Sequence, residues 1–433
     1  MFALGASATS APPEPRHRRR TVAVATNGRT VATKGRPSWP MPTLRGQSST
    51  LRGQSSTLCG QSGGCRRAGV GGARHAGRMV RRLTGDERRL LGMRVRAQLL
   101  DEPAPSPADA VGWMLAMQAQ DWFGALWAVA QRSAPGTTTA DVEAAQAGGA
   151  IVRSWPMRGT LHWTRAEDIR WLATLTADRV DRRDATRMRS LGLDEEALVR
   201  SRAVVERALA DGPASRQALL DALVAAGQPV DAQRGPHILG WLARHGHVVM
   251  TSRTDYALHD AWVATPRALD GDEALEELAR RYLLSHGPAT VHDLAWWAGL
   301  TVADARRGVD AVRDELDAWE VAGTTYLHAP GLEPAAGVLL VAPFDELVLG
   351  YADRSITLRG EPLERIVPGA NGMFLPAVVV DGAVVGTWRR TTTASSIRVA
   401  VEPWTPVPAR QGPALRRAVR AYGTANGMPA ALD

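Results

Sequence analysis

Gly212-Pro213-Ala214-Ser215 recurs with one change as Gly287-Pro288-Ala289-Thr290, and each copy opens the same larger plan. An apolar helical run follows, through Leu219, Leu220 and Leu223 in one copy and through Leu294 and Trp297 in the other. Ser215 and Thr290 suit the N-cap, because a hydroxyl there accepts amide hydrogens that the first turn leaves unpaired. A glycine turn (Gly227; Gly299) then leads to a third helix, expected over 231–245 and 302–316. Two short apolar strands close each copy: 247–251 with 255–258, and 319–322 with 325–328. Repetition of one small helical unit with a terminal hairpin confines the chain to tandem α+β modules.

A less regular copy precedes these two. Thr84 is placed to cap a helix through Leu90, Leu91 and Leu99; Ser106-Pro107 opens another through Val111, Met114 and Leu115; a third starts at Thr139. Its strands are expected at 151–155 and 160–163. Helix, helix, helix and β-hairpin is the winged-helix plan, and three units in register argue against an ordinary helical bundle. After 329 the pattern turns to strands at 338–341, 347–349, 377–380 and 383–387, with a helix near 414–422. Asp381-Gly382, between two Val-rich runs, is a two-residue hairpin turn. The expected fold is mainly α with β (α+β): a disordered tail 1–78, winged-helix units over 79–190, 191–268 and 269–330, and a C-terminal β-rich region over 331–433.

The net charge of +8 does not by itself point to nucleic acid. Residues 1–78 hold 13 of the 52 Lys and Arg and only one acid, Glu14, which leaves the remainder at net −4. Any DNA-binding surface must therefore be a local patch. The tail repeats Thr43 to Ser49 (TLRGQSS) at Thr50 and, degraded, at Thr57. It reads as translated repetitive DNA with the folded chain starting near Met79; a basic arm adding nonspecific DNA affinity is the alternative. Both cysteines, Cys59 and Cys65, fall in this tail, so the body offers neither disulfides nor thiolate metal ligands. No apolar run reaches eighteen residues and none follows Arg16 to Arg20, which argues against a membrane span or secretory signal and for the cytoplasm.

From 79 onward phosphate-binding glycine loops, HExxH, GxSxG and metal-ligand clusters do not occur, so neither metal nor cofactor is expected. His245 and His247 read as helix-terminal and strand residues. Among the fourteen tryptophans, Trp113, Trp127, Trp171 and Trp241 stand at apolar positions and are expected in cores.

One segment differs in kind. At Met117-Gln118-Ala119-Gln120-Asp121 an apolar helix runs out into polar residues. In an extended chain Gln118 and Gln120 share a face; such a pair of neutral amides can hold a water and aim carbonyl dipoles at developing positive charge. Taken alone, Gln-x-Gln at a helix end also fits a solvated terminus.

Four segments together resemble a known family: MQAQ (117–120), RSWPMRGTLHW (153–163), PFDELVLGYADRS (343–355) and NGMFLPAVVVDGAVVGTW (371–388). They are similar to the bacterial winged-helix DNA-binding family that contains the AlkZ-like and YcaQ-like DNA glycosylases, over nearly all of 83–422. The resemblance implies a C-shaped array of winged helices around double-stranded DNA, and cleavage of the N-glycosidic bond of alkylated purines, interstrand crosslinks included. AlkZ-like members carry Gln-x-Gln where YcaQ-like members carry Gln-x-Asp, which puts Gln118 and Gln120 in the catalytic position of the AlkZ-like branch. On this reading Arg153, Arg158, Thr160, His162, Arg354, Arg389 and Arg390 are the candidate DNA contacts. Asp121 could act as a base through water, and Asp345, Glu346, Asp353 and Arg354 are expected to form a structural network. The tip at Asp381-Gly382 could enter a minor groove or be an ordinary turn. The enzyme is expected to be a monomer, nucleoid-associated when bound. The alternative is a non-catalytic winged-helix DNA-binding protein or regulator, in which Gln118 to Gln120 merely closes a helix.

Overall fold

The computed structural model describes residues 81–404 and 406–433; the basic repeats of the tail, with Cys59 and Cys65, lie outside the described residues. Helices and strands are mixed along the chain, as expected.

Among the described residues one order of elements occurs three times. The clearest copy is helix Glu195–Ala208, strand Ala214–Ser215, helices Arg216–Ala225 and Arg234–Arg244, then strands Val248–Met250 and Asp255–Leu258. The next runs through helix Gly271–His286, a bridge from Ala289 to Leu327, helices Val291–Ala298 and Val302–Ala311, and strands Asp317–Val321 and Thr324–His328. In both, the residue before the N-cap pairs with the last strand: Ala214 with Tyr256, Ala289 with Leu327. The hydroxyls of Ser215 and Thr290 accept the amides of Ala218 and Asp293, as their positions predict.

The first copy is displaced from where the sequence suggests it. Its elements are helix Pro107–Met114, strand Met117–Gln118, helices Trp122–Gln131 and Thr139–Ala147, and strands Ile151–Met157 and Thr160–Arg165. Helix Gly85–Ala97 stands outside the order and sets Leu90 and Leu91 against Val321, Tyr326 and Ala383. The helix Trp122–Gln131 was not anticipated, because the apolar run before it hides a backbone break: Leu115 takes φ of +62° and ends the preceding helix. Asp121 then caps the new helix, its Oδ1 accepting from Gly124 N–H at 2.6 Å. Asp121 thus occupies the place of Ser215 and Thr290. Gln118-Ala119-Gln120 stands where the other copies carry Gly-Pro-Ala.

Strands of the first two copies merge into one six-stranded sheet, in the order Met117–Gln118, Thr160–Arg165, Ile151–Met157, Val248–Met250, Asp255–Leu258 and Ala214–Ser215, joined where Arg153 faces Met250. The third copy keeps its own pair. The C-terminal region is a five-stranded sheet in which Ile397–Pro403, unforeseen from sequence, lies antiparallel to Ala383–Thr392 and parallel to Ala430–Leu432. Residues 347–349, expected as a strand, belong instead to the helical turn Glu346–Leu349. Four apolar residues carry no period that separates strand from helix, and Asp345 decides the matter by accepting from Leu347 N–H. The Asp381-Gly382 turn has φ of +50° and +78°, the type I′ pattern. Its tip lies against helix Gly85–Ala97, where a Cβ on Gly382 would come within 2.6 Å of the Leu91 carbonyl. That corrects the groove-entry reading in favour of an ordinary turn held by protein.

Two large cores meet at the glutamine segment. Leu115 and Ala116 belong to a cluster with Met157, Trp171 and helices Gly271–His286 and Val291–Ala298. Met117, Ala119 and Trp122 belong to another, with Trp127, Trp163, Leu340, Val378, Trp388 and Tyr422. A fully buried leucine or methionine side chain contributes roughly 1.5–3 kcal/mol, so the chain is held by one core at 115–116 and by the other from Met117. Trp127 and Trp171 are buried as expected, whereas Trp113 is 42% exposed with its indole N–H on the Ala97 carbonyl, and Trp241 is partly buried against His245. Among the described residues no helix is long and apolar enough to cross a membrane, and no group of His, Cys, Asp and Glu is placed to hold a metal.

Candidate active site

Met117 and Ala119 pack in the core; the strand ends at Gln118, which alternation turns away from that core, and Gln120 follows in the bend before helix Trp122–Gln131. Gln118 lies in register with His162. The backbone between the glutamines is held from both sides: Ala119 N–H donates to the Leu161 carbonyl at 2.7 Å, and Arg153 donates from Nε and Nη2 to the Ala119 carbonyl at 3.0 and 2.8 Å. Both amides lean on one short stretch of the facing strand. Gln118 Oε1 accepts from Thr160 Oγ1, and Gln120 Oε1 accepts from Leu161 N–H, each at 3.3 Å. Gln118 keeps 8% of its surface exposed and Gln120 is half-buried.

A buried carboxylate stands behind the first glutamine. Glu346 Oε1 accepts Gln118 N–H at 2.7 Å, and its Oε2 accepts Trp297 Nε1–H at 2.9 Å and lies 3.6 Å from His286 Nε2. Burial works to raise its pKa, but the neighbouring His286 and the positive charge of Arg158 prevail and hold it down to about 2. The carboxylate is therefore ionised. Its own support is equally buried: Arg132 makes two 2.9 Å bonds to Asp345, which caps the turn carrying Glu346, and a third bond at 3.0 Å to Gln98.

The candidate DNA contacts separate into groups. Arg153 is 6% exposed, with its guanidinium on Ala119 and over the Trp122 ring; it braces the segment from within. Arg158 Nη2 donates to His162 Nε2 at 3.1 Å while His162 Nδ1–H donates to the Thr160 carbonyl at 2.9 Å, a network that requires the neutral imidazole. Burial, followed by the Arg158 charge, brings His162 down to about 3. Arg158 and Arg354 converge on Trp296, their guanidinium carbons 5.3 and 4.4 Å from its ring. Burial and the nearby Arg158 charge bring Arg354 down to about 10, and it donates to the carbonyls of Val348, Ala352 and Leu349. Arg389 and Arg390 are exposed neighbours on one strand and so face opposite ways; Arg389 pairs with Glu402 and Arg390 with the Tyr422 hydroxyl. Asp121 is committed to its cap.

The sequence reading gave Gln118, Gln120, Thr160, Arg158 and His162, which the fold brings together, and Arg354, which joins them through Trp296. It missed Glu346 as a partner of Gln118, and Trp296 altogether. Proximity across 228 positions leaves no periodic trace.

Comparison with known proteins places these observations. An interstrand DNA cross-link repair glycosylase of Streptomyces sahachiroi is 26% identical over 327 residues, covering 70% of this chain and 87% of that protein. The solved structure of the Streptomyces sahachiroi DNA glycosylase AlkZ superposes with a TM-score of 0.68 at 24% identity, covering 80% of this chain and 99% of that one, a likeness of fold. The profile of the AlkZ-like DNA glycosylases matches residues 111–425, a span that includes the glutamine segment, the facing strand and the Glu346 turn, and the chain belongs to that family.

Proposed function

We propose that this chain is a monofunctional DNA glycosylase that hydrolyses the N-glycosidic bond of N7-alkylated purines in duplex DNA, and that, like its Streptomyces relative by name, it acts on interstrand crosslinks. The observation that carries the reading is the pair of amides two positions apart, held by Thr160 and Leu161 of one facing strand, with ionised Glu346 directly behind Gln118.

The chemistry asks little of acid–base groups. An N7-alkylated purine already carries positive charge and departs with the bonding electron pair, so no strong general acid is required; the sugar left behind is oxocarbenium-like, and water adds to its anomeric carbon while losing a proton. Each glutamine carbonyl has two lone pairs. One accepts from the facing strand and fixes the amide plane; the other can hold the water or face the sugar cation. Glu346 adds a full negative charge in a dry environment, where it stabilises a cation without reorganising. Arg158 and Arg354, gathered on Trp296, suit the phosphates flanking the lesion.

In this reading the three repeated orders of elements are winged-helix units, within the boundaries 79–190, 191–268 and 269–330 followed by 331–433, arched around the duplex. The protein acts as a cytoplasmic monomer that joins the nucleoid when bound. The test incubates the protein with duplex carrying one N7-alkylguanine and follows released base and abasic sites for wild type, Gln118→Ala and Gln120→Ala. Release by wild type that collapses in both variants is expected. Tight binding with no release in any of the three proteins overturns catalysis in favour of a DNA-binding regulator.

A further inference from the structure

Phe123 is 47% exposed on the first turn of helix Trp122–Gln131, three positions after Gln120. Its neighbour Trp122 is buried against Trp163, so the turn is anchored and Phe123 is the side chain it presents outward. An isolated exposed phenylalanine would ordinarily pass unremarked. Two cations from distant parts of the chain approach this one: Arg253, in the turn between strands Val248–Met250 and Asp255–Leu258, and Arg390, on strand Ala383–Thr392. Their guanidinium carbons lie 5.2 and 5.4 Å from its ring centre. Arg253 and Arg390 are both exposed, and Arg253 is near enough to Arg153, the brace of Ala119, to depress its pKa further beyond the effect of burial. The nearby carboxylates are engaged, Asp121 with the helix cap and Asp255 with Thr254.

We propose that Phe123 enters the base stack of duplex DNA beside the lesion, with Arg253 and Arg390 on the phosphates to either side. A duplex presents stacked apolar bases between two rails of phosphate, and an exposed aromatic ring with two guanidinium groups close by complements that pattern. Displacing a nucleotide toward the glutamines opens a gap in the stack, and a rigid ring fills it by stacking, which tolerates any base sequence. Here Phe123 is a positioning residue: it touches the neighbouring bases, not the reacting sugar. The inference rests on the glycosylase reading for the location of the lesion, and on its own geometry for the wedge.

The experiment uses the full chain and a duplex in which 2-aminopurine stands beside a single N7-methylguanine. Inactive Gln118→Ala at saturating concentration is expected to raise 2-aminopurine fluorescence, and Gln118→Ala/Phe123→Ala is expected to leave it at the free-duplex level. With Gln118 intact, Phe123→Ala should lower the ratio of excision rates, paired duplex over single strand, on the order of 10- to 100-fold, and Phe123→Leu should recover part of that loss. Arg253→Ala and Arg390→Ala should each reduce the salt dependence of duplex affinity. Because Phe123 is exposed, its replacement should leave the melting transition in place. Equal fluorescence with and without Phe123, or no rise with either protein, overturns the wedge. Absence of base release by the wild type sinks the glycosylase reading instead, and the fluorescence arm still judges Phe123.

Discussion

The side chain of Glu346 accepts the backbone N–H of Gln118 at 2.7 Å, so the residue that supplies the site's negative charge also fixes one end of the segment that carries both glutamines. Charge and position are thereby joined in one group, and substitutions that separate them are informative.

Glu346→Gln keeps the shape and an acceptor oxygen but removes the charge. Single-turnover excision should fall on the order of 10²-fold, the scale seen when one electrostatic contributor to a transition state is lost, while affinity for lesion duplex changes little. A variant with weakened binding and an unaltered rate would contradict this role.

Arg132→Met leaves Asp345 as a buried charge without its guanidinium. Loss of one partner of a buried pair costs about 3–5 kcal/mol, so urea unfolding should show a drop of that size. Excision should decline as well, since Asp345 caps the turn that presents Glu346. A surface-sized effect below about 1 kcal/mol would count against the buried geometry.

Gly124→Ala tests the contact between the glutamine-side helix and the loop before Glu346. A Cβ there would stand 2.8 Å from both Pro343 and Asp121 Oδ1, the capping atom. Overpacking of this kind costs roughly 1–3 kcal/mol, and thermal unfolding together with excision should register it. Wild-type behaviour in both assays would show that loop and helix can part.

Arg354→Ala should lower the slope of log affinity against log salt by about 0.9, the value for one phosphate contact on B-DNA. Arg153→Ala should leave that slope in place and depress excision, because Arg153 is buried whereas Arg354 is only partly so, and its guanidinium holds the Ala119 carbonyl. Identical slopes for both variants and wild type would remove Arg354 from the phosphates.

Acid should weaken the fold in two stages. His162 is held at about 3 by burial and by Arg158, so below its ordinary value of about 6.5 the unfolded chain binds a proton that the folded site refuses. Stability therefore falls as pH drops from about 6.5 toward 3. Burial lowers His286, His247 and His259 as well and they share this stage, so His162→Gln should flatten only part of it. Glu346, at about 2 in the folded state, contributes stability that is present above its unfolded value near 4.3 and lost as pH falls through 2. Denaturant midpoints measured from pH 7 to pH 3 check the slope and its reduction in His162→Gln.

Sequence alone determined what depends on neighbours a few positions apart. Ser215 and Thr290 cap because their hydroxyls meet amides three residues on, and Asp381-Gly382 turns because those residues accept positive φ. Local chemistry failed where two local signals conflicted. The apolar run from 110 hid the break at Leu115, which moved the first unit's register and concealed that Asp121 repeats Ser215 and Thr290. Residues 347–349 likewise look like a strand until Asp345, held by Arg132 from 213 positions away, caps them as a helical turn. Tertiary structure decided the remainder: Glu346 behind Gln118, Arg158 and Arg354 on Trp296, and Arg153 turned inward. Burial gives a charge its function here by excluding water and admitting few partners, and which distant groups share that burial is settled only when the cores close around them.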